Sequence, residues 1–124
     1  MDTSKLPDIE NGFTGGVLIF SGRPDPAWGI DATTASSLLA QWEAAPTCPV
    51  SPPQPPPLGY RGSFLAAQDG RTWVAHGGAV TLTTIDRTEH RLDADNRFEQ
   101  SILATAPAGL LEQLGLAFLL GQSQ

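Results

Sequence analysis

The sequence predicts an α+β fold: a mainly antiparallel sheet of about four strands, two or three helices packed on it, and a Pro-rich connecting loop. Three observations predict this. The apolar, partly β-branched run Val17-Leu18-Ile19-Phe20 suits a buried strand. Asp69-Gly70 between two stretches of strand-forming residues signals a hairpin, because its turn positions need positive φ. Ala35, Leu38, Leu39 and Trp42 recur at i, i+3, i+4 and i+7, which is one face of a helix. The resulting order β, α, β, β, β, α, α with a tight hairpin argues for α+β.

The elements follow in turn. Residues 1–12 are a polar lead-in ending at the turn pair Asn11-Gly12. A first strand spans 13–20, entered through Gly15-Gly16, and Ser21-Gly22 stops it. Pro24 and Pro26 then hold a stiff loop, with Arg23 before them and Trp28 after. Asp31 or Thr33 caps a helix by satisfying a free N–H of its first turn, and Pro46 ends that helix at Ala45. Seven of the twelve residues 46–57 are proline, a composition that favours polyproline II over a packed core.

Counting outward from Asp69-Gly70 pairs Ala66 with Trp73, Phe64 with Ala75 and Leu65 with Val74. Gly77-Gly78 turns or bulges the chain into a strand over 79–85, with Val80 and Leu82 on one face and threonines on a wet one. Residues 86–99 hold eight charged side chains and are expected to be the most exposed part of the molecule. Within them Asp93 or Asp95 caps a short helix through Phe98 and Ile102. Pro107 begins a last helix with Leu110, Leu111, Leu114 and Phe118 on its apolar side, and Gly109 and Gly115 in its interior.

At 124 residues the chain fits a single domain, 1–124. Seven basic against thirteen acidic residues give −6. That balance disfavours nucleic-acid backbones and anionic membranes, which need clustered Lys and Arg. No apolar run is long enough to cross a bilayer. Residues 1–16 lack the basic start and apolar core of a signal peptide, and a single cysteine makes no internal disulfide, so the expected location is cytoplasmic.

Catalytic constellations are sparse. Cys48, His76 and His90 show no zinc-ligand spacing, and neither a metal nor a cofactor is expected. Asp93-Ala94-Asp95-Asn96 opens like a calcium loop, but its sixth and twelfth positions are Phe98 and Ala104 instead of Gly and an acid. Cys48 has no neighbouring base. Asp25, held between two prolines, suits a turn cap, and an acid–base role beside Asp31 stays open.

The segment Phe20-Ser21-Gly22-Arg23-Pro24-Asp25-Pro26-Ala27-Trp28 resembles a strand-end pattern, Ser-Gly-Arg-Pro-Asn/Asp-Pro followed by Trp, of small uncharacterised bacterial proteins. Gly59-Tyr60-Arg61-Gly62 and the stretch 73–78 are similar to that group as well. The resemblance covers about residues 16–85. It implies no activity and carries over no catalytic residue, only that the loop belongs to the architecture.

The loop has two readings. Arg23 pairs locally and Trp28 plugs the core, or the two frame a recognition surface, since Arg and Trp are favoured anchors at interfaces. The apolar stretch 114–120 also has two: burial against the protein's own sheet, or docking onto another protein or a second copy. The expected function is a non-enzymatic protein-interaction module, an accessory subunit or homo-oligomer. Its expected contact residues are Arg23, Asp25, Trp28, Leu116, Phe118 and Leu119. The alternative is a small-molecule-binding domain or hydrolase with a pocket near Trp28, Trp73 and His76.

Overall fold

The computed structural model describes residues 12–19, 25–48 and 60–116. Six strands form one sheet: β1 (Phe13–Val17), β2 (Ala27–Ile30), β3 (Ser63–Ala67), β4 (Thr72–His76), β5 (Ala79–Thr83) and β6 (Thr88–Leu92). Their spatial order is β2-β1-β3-β4-β5-β6, and every pairing is antiparallel. Three helices accompany them: α1 (Ala32–Ala44), α2 (Arg97–Leu103) and α3 (Leu110–Gln113). The expected α+β arrangement with an antiparallel sheet is present, with six strands where about four were expected. Residues 1–11, Phe20, Arg23 and the bulk of the Pro-rich stretch lie outside the described residues, as do Phe118 and Leu119.

Both additional strands sit at the sheet edges. β2 follows the prolines directly, in a stretch read as the end of a loop. β6 lies inside the charged run 86–99, which is therefore not simply the exposed part of the chain. Beyond β6, Thr47 forms an isolated bridge with Arg91. The Cys48 N–H donates to the His90 carbonyl at 3.0 Å and the Leu92 N–H to the Pro46 carbonyl at 2.8 Å.

The hairpin at Asp69-Gly70 is present, but its register is one residue away from the expected one. Leu65 faces Trp73 and Phe64 faces Val74. The Ala67 N–H donates to the Arg71 carbonyl, so the loop has three residues, ending at Gly70 with φ +100°. A turn followed by a residue of positive φ is the usual three-residue hairpin loop. The two-residue loop lies instead at Gly77-Gly78, where His76 pairs with Ala79 and the two glycines have φ of +63° and +87°.

Strand alternation divides the sheet into two faces. One carries Trp28, Ile30, Val17, Leu65, Trp73, Ala75, Val80 and Leu82, all buried. The helices cover this face through Ala35, Leu38 and Trp42 of α1, Phe98, Ile102 and Leu103 of α2, and Leu111 of α3, with Leu116 after it. Helix α1 begins beside edge strand β2, capped by Asp31, whose Oδ1 accepts the Thr34 N–H at 2.8 Å. It ends beside the opposite edge, where Arg91 Nη1 of β6 donates to the Trp42 carbonyl at 2.7 Å. Thirteen residues at ~1.5 Å each span ~20 Å, close to the ~24 Å width of six strands.

The other face carries Thr14, Gly16, Ala27, Gly29, Phe64, Ala66, Thr72, Val74, His76, Ala79, Thr81, Thr83, Thr88, His90 and Leu92. No described helix packs on it. Here Gly16 is required by a close approach: a Cβ would lie 2.4 Å from the Phe64 ring and 2.4 Å from the Pro26 carbonyl oxygen.

The last helix is shorter than expected, and Gly109 and Gly115 bracket it instead of lying within it. Gly109 stands before α3 with φ +81° and Gly115 after it with φ +76°. The Leu116 N–H returns to the Leu111 carbonyl at 2.7 Å and the Gly115 N–H to that of Glu112 at 3.0 Å. These two bonds, with buried Leu111 and Leu116 in the accompanying hydrophobic positions, make a Schellman ending.

Candidate functional site

Polar groups gather at the sheet end formed by the start of β3, the Gly77-Gly78 turn and the start of α2. Asp93 is only 7% exposed. Its Oδ1 accepts the Phe98 N–H at 2.7 Å and its Oδ2 the Glu99 N–H at 3.1 Å. It thereby supplies the side-chain acceptor for the first turn of α2, because Asn96, the residue in capping position, makes no side-chain capping bond. Asp95 and Asn96 between them take φ of +56° and +55°, which short polar side chains tolerate.

Glu99, also buried, accepts a hydrogen bond from the Tyr60 hydroxyl. Ser63 Oγ donates to the Glu99 carbonyl at 3.2 Å from beneath. Burial raises the Glu99 carboxyl above its ordinary range, the Tyr60 bond opposes that, and the nearby Asp93 charge adds to it. Burial likewise raises Asp93, against the pull of its two N–H donors and of Arg97. Tyr60 moves well above its usual value through burial, then through its bond to Glu99. The His76 ring lies 6.1 Å from that of Tyr60. Both Asp93 oxygens serve the helix start, and Glu99 and Tyr60 bind each other. The cluster seats α2 on the sheet and leaves no described nucleophile beside a free base.

Neighbouring Asp25 holds the loop it closes. Its Oδ1 accepts the Ile19 N–H at 2.8 Å and lies 3.9 Å from Arg61 Nη2. Trp28 is 8% exposed within β2, and its Nε1 donates to Thr105 Oγ1 at 2.7 Å. Leu116 is 6% exposed in the same core. Trp28 and Leu116 therefore spend their surface inside the protein, and Asp25 is half-buried at a loop closure. Arg23, Phe118 and Leu119 lie outside the described residues.

The pocket expected at Trp28, Trp73 and His76 does not form among the described residues. Trp73 lies on the helix-covered face with Trp28, whereas His76, three residues further along β4, lies on the opposite face. A groove of about 220 Å³ opens elsewhere, between Trp42, Pro46, Val80, Leu92 and Phe98. Gln41 lines it as well, but the unpartnered Oε1 of that residue is out of solvent. Among the described residues no group of three His, Cys, Asp or Glu side chains could hold a metal ion, and no helix is long and apolar enough to cross a membrane.

The sheet face on which no described helix packs is the more unusual surface. None of its positions is Asp, Glu, Lys or Arg, in a chain with twenty such residues and a net charge of −6. Glu89 and Arg91 of β6 both have the helix-side parity. At its centre Phe64 and Val74 are paired and half-buried, beside Thr81, whose Oγ1 lies 2.9 Å from His90 Nδ1. The charges of residues 63–92 are Asp69, Arg71, Asp86, Arg87, Glu89 and Arg91, and residues 72–85 carry none. Sequence reasoning missed this face because it took 86–99 as exposed chain, and only the register of β6 puts Glu89 and Arg91 together on the helix side. No protein family, curated protein or solved structure matches this chain.

Proposed function

We propose that this chain is a non-enzymatic protein-interaction module, an accessory subunit or homo-oligomer, that meets its partner through the uncharged face of its sheet. The observation that supports this reading is the absence of charge from every strand position of that face. Charge depletion, more than bulk hydrophobicity, marks the core of a protein interface. Phe64 and Val74 supply apolar area there, and Thr81 and His90 satisfy one another, so covering them leaves fewer polar groups unpaired.

A photo-crosslinking residue placed at Thr81 tests the reading in the cell of origin, with one at the exposed Ser36 on the outer side of α1 as control. The expected outcome is a discrete, stoichiometric adduct from Thr81 and none from Ser36. No adduct from Thr81, or equal adducts from both positions, removes the reading.

A further inference from the structure

The strand register sets a thiol beside an imidazole at the outer edge of β6. The Cys48 N–H donates to the His90 carbonyl at 3.0 Å and Thr47 bridges Arg91, so Cys48 stands directly opposite His90. Directly opposed residues send their side chains to the same face, with Cβ atoms ~4.5–5.5 Å apart. On its other side His90 faces Thr81 of β5, and Thr81 Oγ1 lies 2.9 Å from His90 Nδ1. Thr81, His90 and Cys48 form a row running outward from β5, each residue half-buried. The sequence places no base near Cys48. The pairing beyond β6 brings one to it.

We propose that Cys48 is a modification site, a nucleophilic thiol served by His90, which takes small disulfides such as glutathione disulfide. The row holds the parts that activate a thiol: a nucleophile, a base, and a third group that orients the base. No strand position on this face is Lys or Arg, so no cation there holds a thiolate ready-made, and the proton must be removed by a base. With its proton on Nδ1, donated to Thr81 Oγ1, the imidazole keeps its lone pair on Nε2. Nε2 takes the thiol proton as Cys48 Sγ attacks one sulfur of the disulfide. The new S–S bond forms as the old one breaks, and the proton passes to the departing thiolate, which leaves as a thiol. Thr81 is a positioning residue. The chain has one cysteine, so no second thiol of the same molecule resolves the mixed disulfide, and the adduct persists until an external thiol removes it.

The test follows the addition of one glutathionyl group to the full chain by intact mass, in excess glutathione disulfide, from about pH 5.5 to 9.5. At neutral pH the folded chain should react about tenfold or more faster than the same chain in urea, where Cys48 keeps its sequence neighbours but loses His90. The folded rate should rise through an inflection in the histidine range, near ~6.5, before that of the thiol itself near ~8.5. His90→Gln should remove the first inflection and bring the neutral rate down to that of the unfolded chain. Above about pH 9 the two should converge, because a thiolate needs no base. Thr81→Val should move the inflection to lower pH, since the imidazolium loses an acceptor. His76→Gln, on the same face at the end of β4, should change nothing.

A folded chain that reacts no faster than the unfolded one overturns the proposal. So does a folded profile showing the thiol inflection alone, a result that depends on no variant. Unchanged kinetics in a His90→Gln protein that melts as the parent does would overturn it as well.

Discussion

Trp28 Nε1 and Thr105 Oγ1 join residues 77 positions apart, in edge strand β2 and just beyond α2, by a 2.7 Å hydrogen bond. The hydroxyl in turn donates to the Ile102 carbonyl at 2.6 Å. A second core tryptophan, Trp73, is 1% exposed, and its indole N–H has no partner among the described residues. The two rings therefore respond differently to the same substitution. Trp28→Phe should cost about 2 kcal/mol, from lost volume plus a broken bond. Trp73→Phe removes an unsatisfied donor together with the same volume, and should cost under about 1 kcal/mol. Denaturant melts of the two variants check the order.

The buried carboxyls give a pH dependence opposite to that of ordinary paired acids. Asp93 and Glu99 have folded-state values raised above 3.8 and 4.5. Below those values each is protonated in both states, so its stabilisation is complete. As pH rises through the window above them, the unfolded chain releases protons first and stability falls. Thermal melts from pH 4 to 7 should show this decline as a component that Glu99→Gln removes, since glutamine still accepts from Tyr60. An unchanged slope in Glu99→Gln would contradict it.

Two glycines of adjacent strands should behave in opposite ways. A Cβ at Gly16 meets a ring carbon and a backbone oxygen at 2.4 Å, and one at Gly29 meets nothing within 4 Å. Gly16→Ala should destabilise by about 2–3 kcal/mol, as overpacking does. Gly29→Ala should be neutral or slightly stabilising, within about 0.5–1 kcal/mol, through the less disordered unfolded chain.

Arginine is not replaceable by lysine at β6. The Arg91 guanidinium stacks 4.4 Å from the Trp42 ring, bonds the Trp42 carbonyl at the end of α1 and pairs with Glu89 at 2.8 Å. Arg91→Lys keeps the charge but loses the planar fork, and should cost about 1–2 kcal/mol. Arg71, 5.1 Å from the Trp73 ring and paired with the exposed Asp69, is the control. Its lysine variant should stay within about 0.5 kcal/mol, as exposed pairs do. Chemical melts of the pair decide it.

The parts of the fold legible in the sequence were those with a local cause. Asp31 and Pro46 frame α1 because a cap and a helix breaker act within one turn. Asp93 was readable as a cap for the same reason. The hairpin existed in the residues at Asp69-Gly70, but a three-residue loop and a two-residue loop differ by one place, and that place reverses which residues face the core. β2 and β6 were missed because edge strands need little hydrophobicity. Ala-Trp-Gly-Ile is short, and Thr-Glu-His-Arg-Leu reads as solvent. The burial of Glu99 had a signal: it shares the apolar stripe of Phe98, Ile102 and Leu103 on α2. The uncharged face had a partial one, the charge-free run 72–85, but which residues share that face shows only once the strands lie side by side.

The sheet order also sets a sequence of events in time. β3 to β6 are joined by loops of two to four residues, whereas β1 waits on 45 residues between Val17 and Ser63 before it can lie beside β3. Closing a loop about tenfold longer costs roughly 2 kcal/mol more in chain entropy. The meander 63–92 is therefore expected to form early and the N-terminal hairpin to join it late. The same hairpin is expected to be the first piece to detach in the native protein. Amide hydrogens of β1 and β2 should exchange through a partial opening, while those of β4 wait for the whole molecule to unfold.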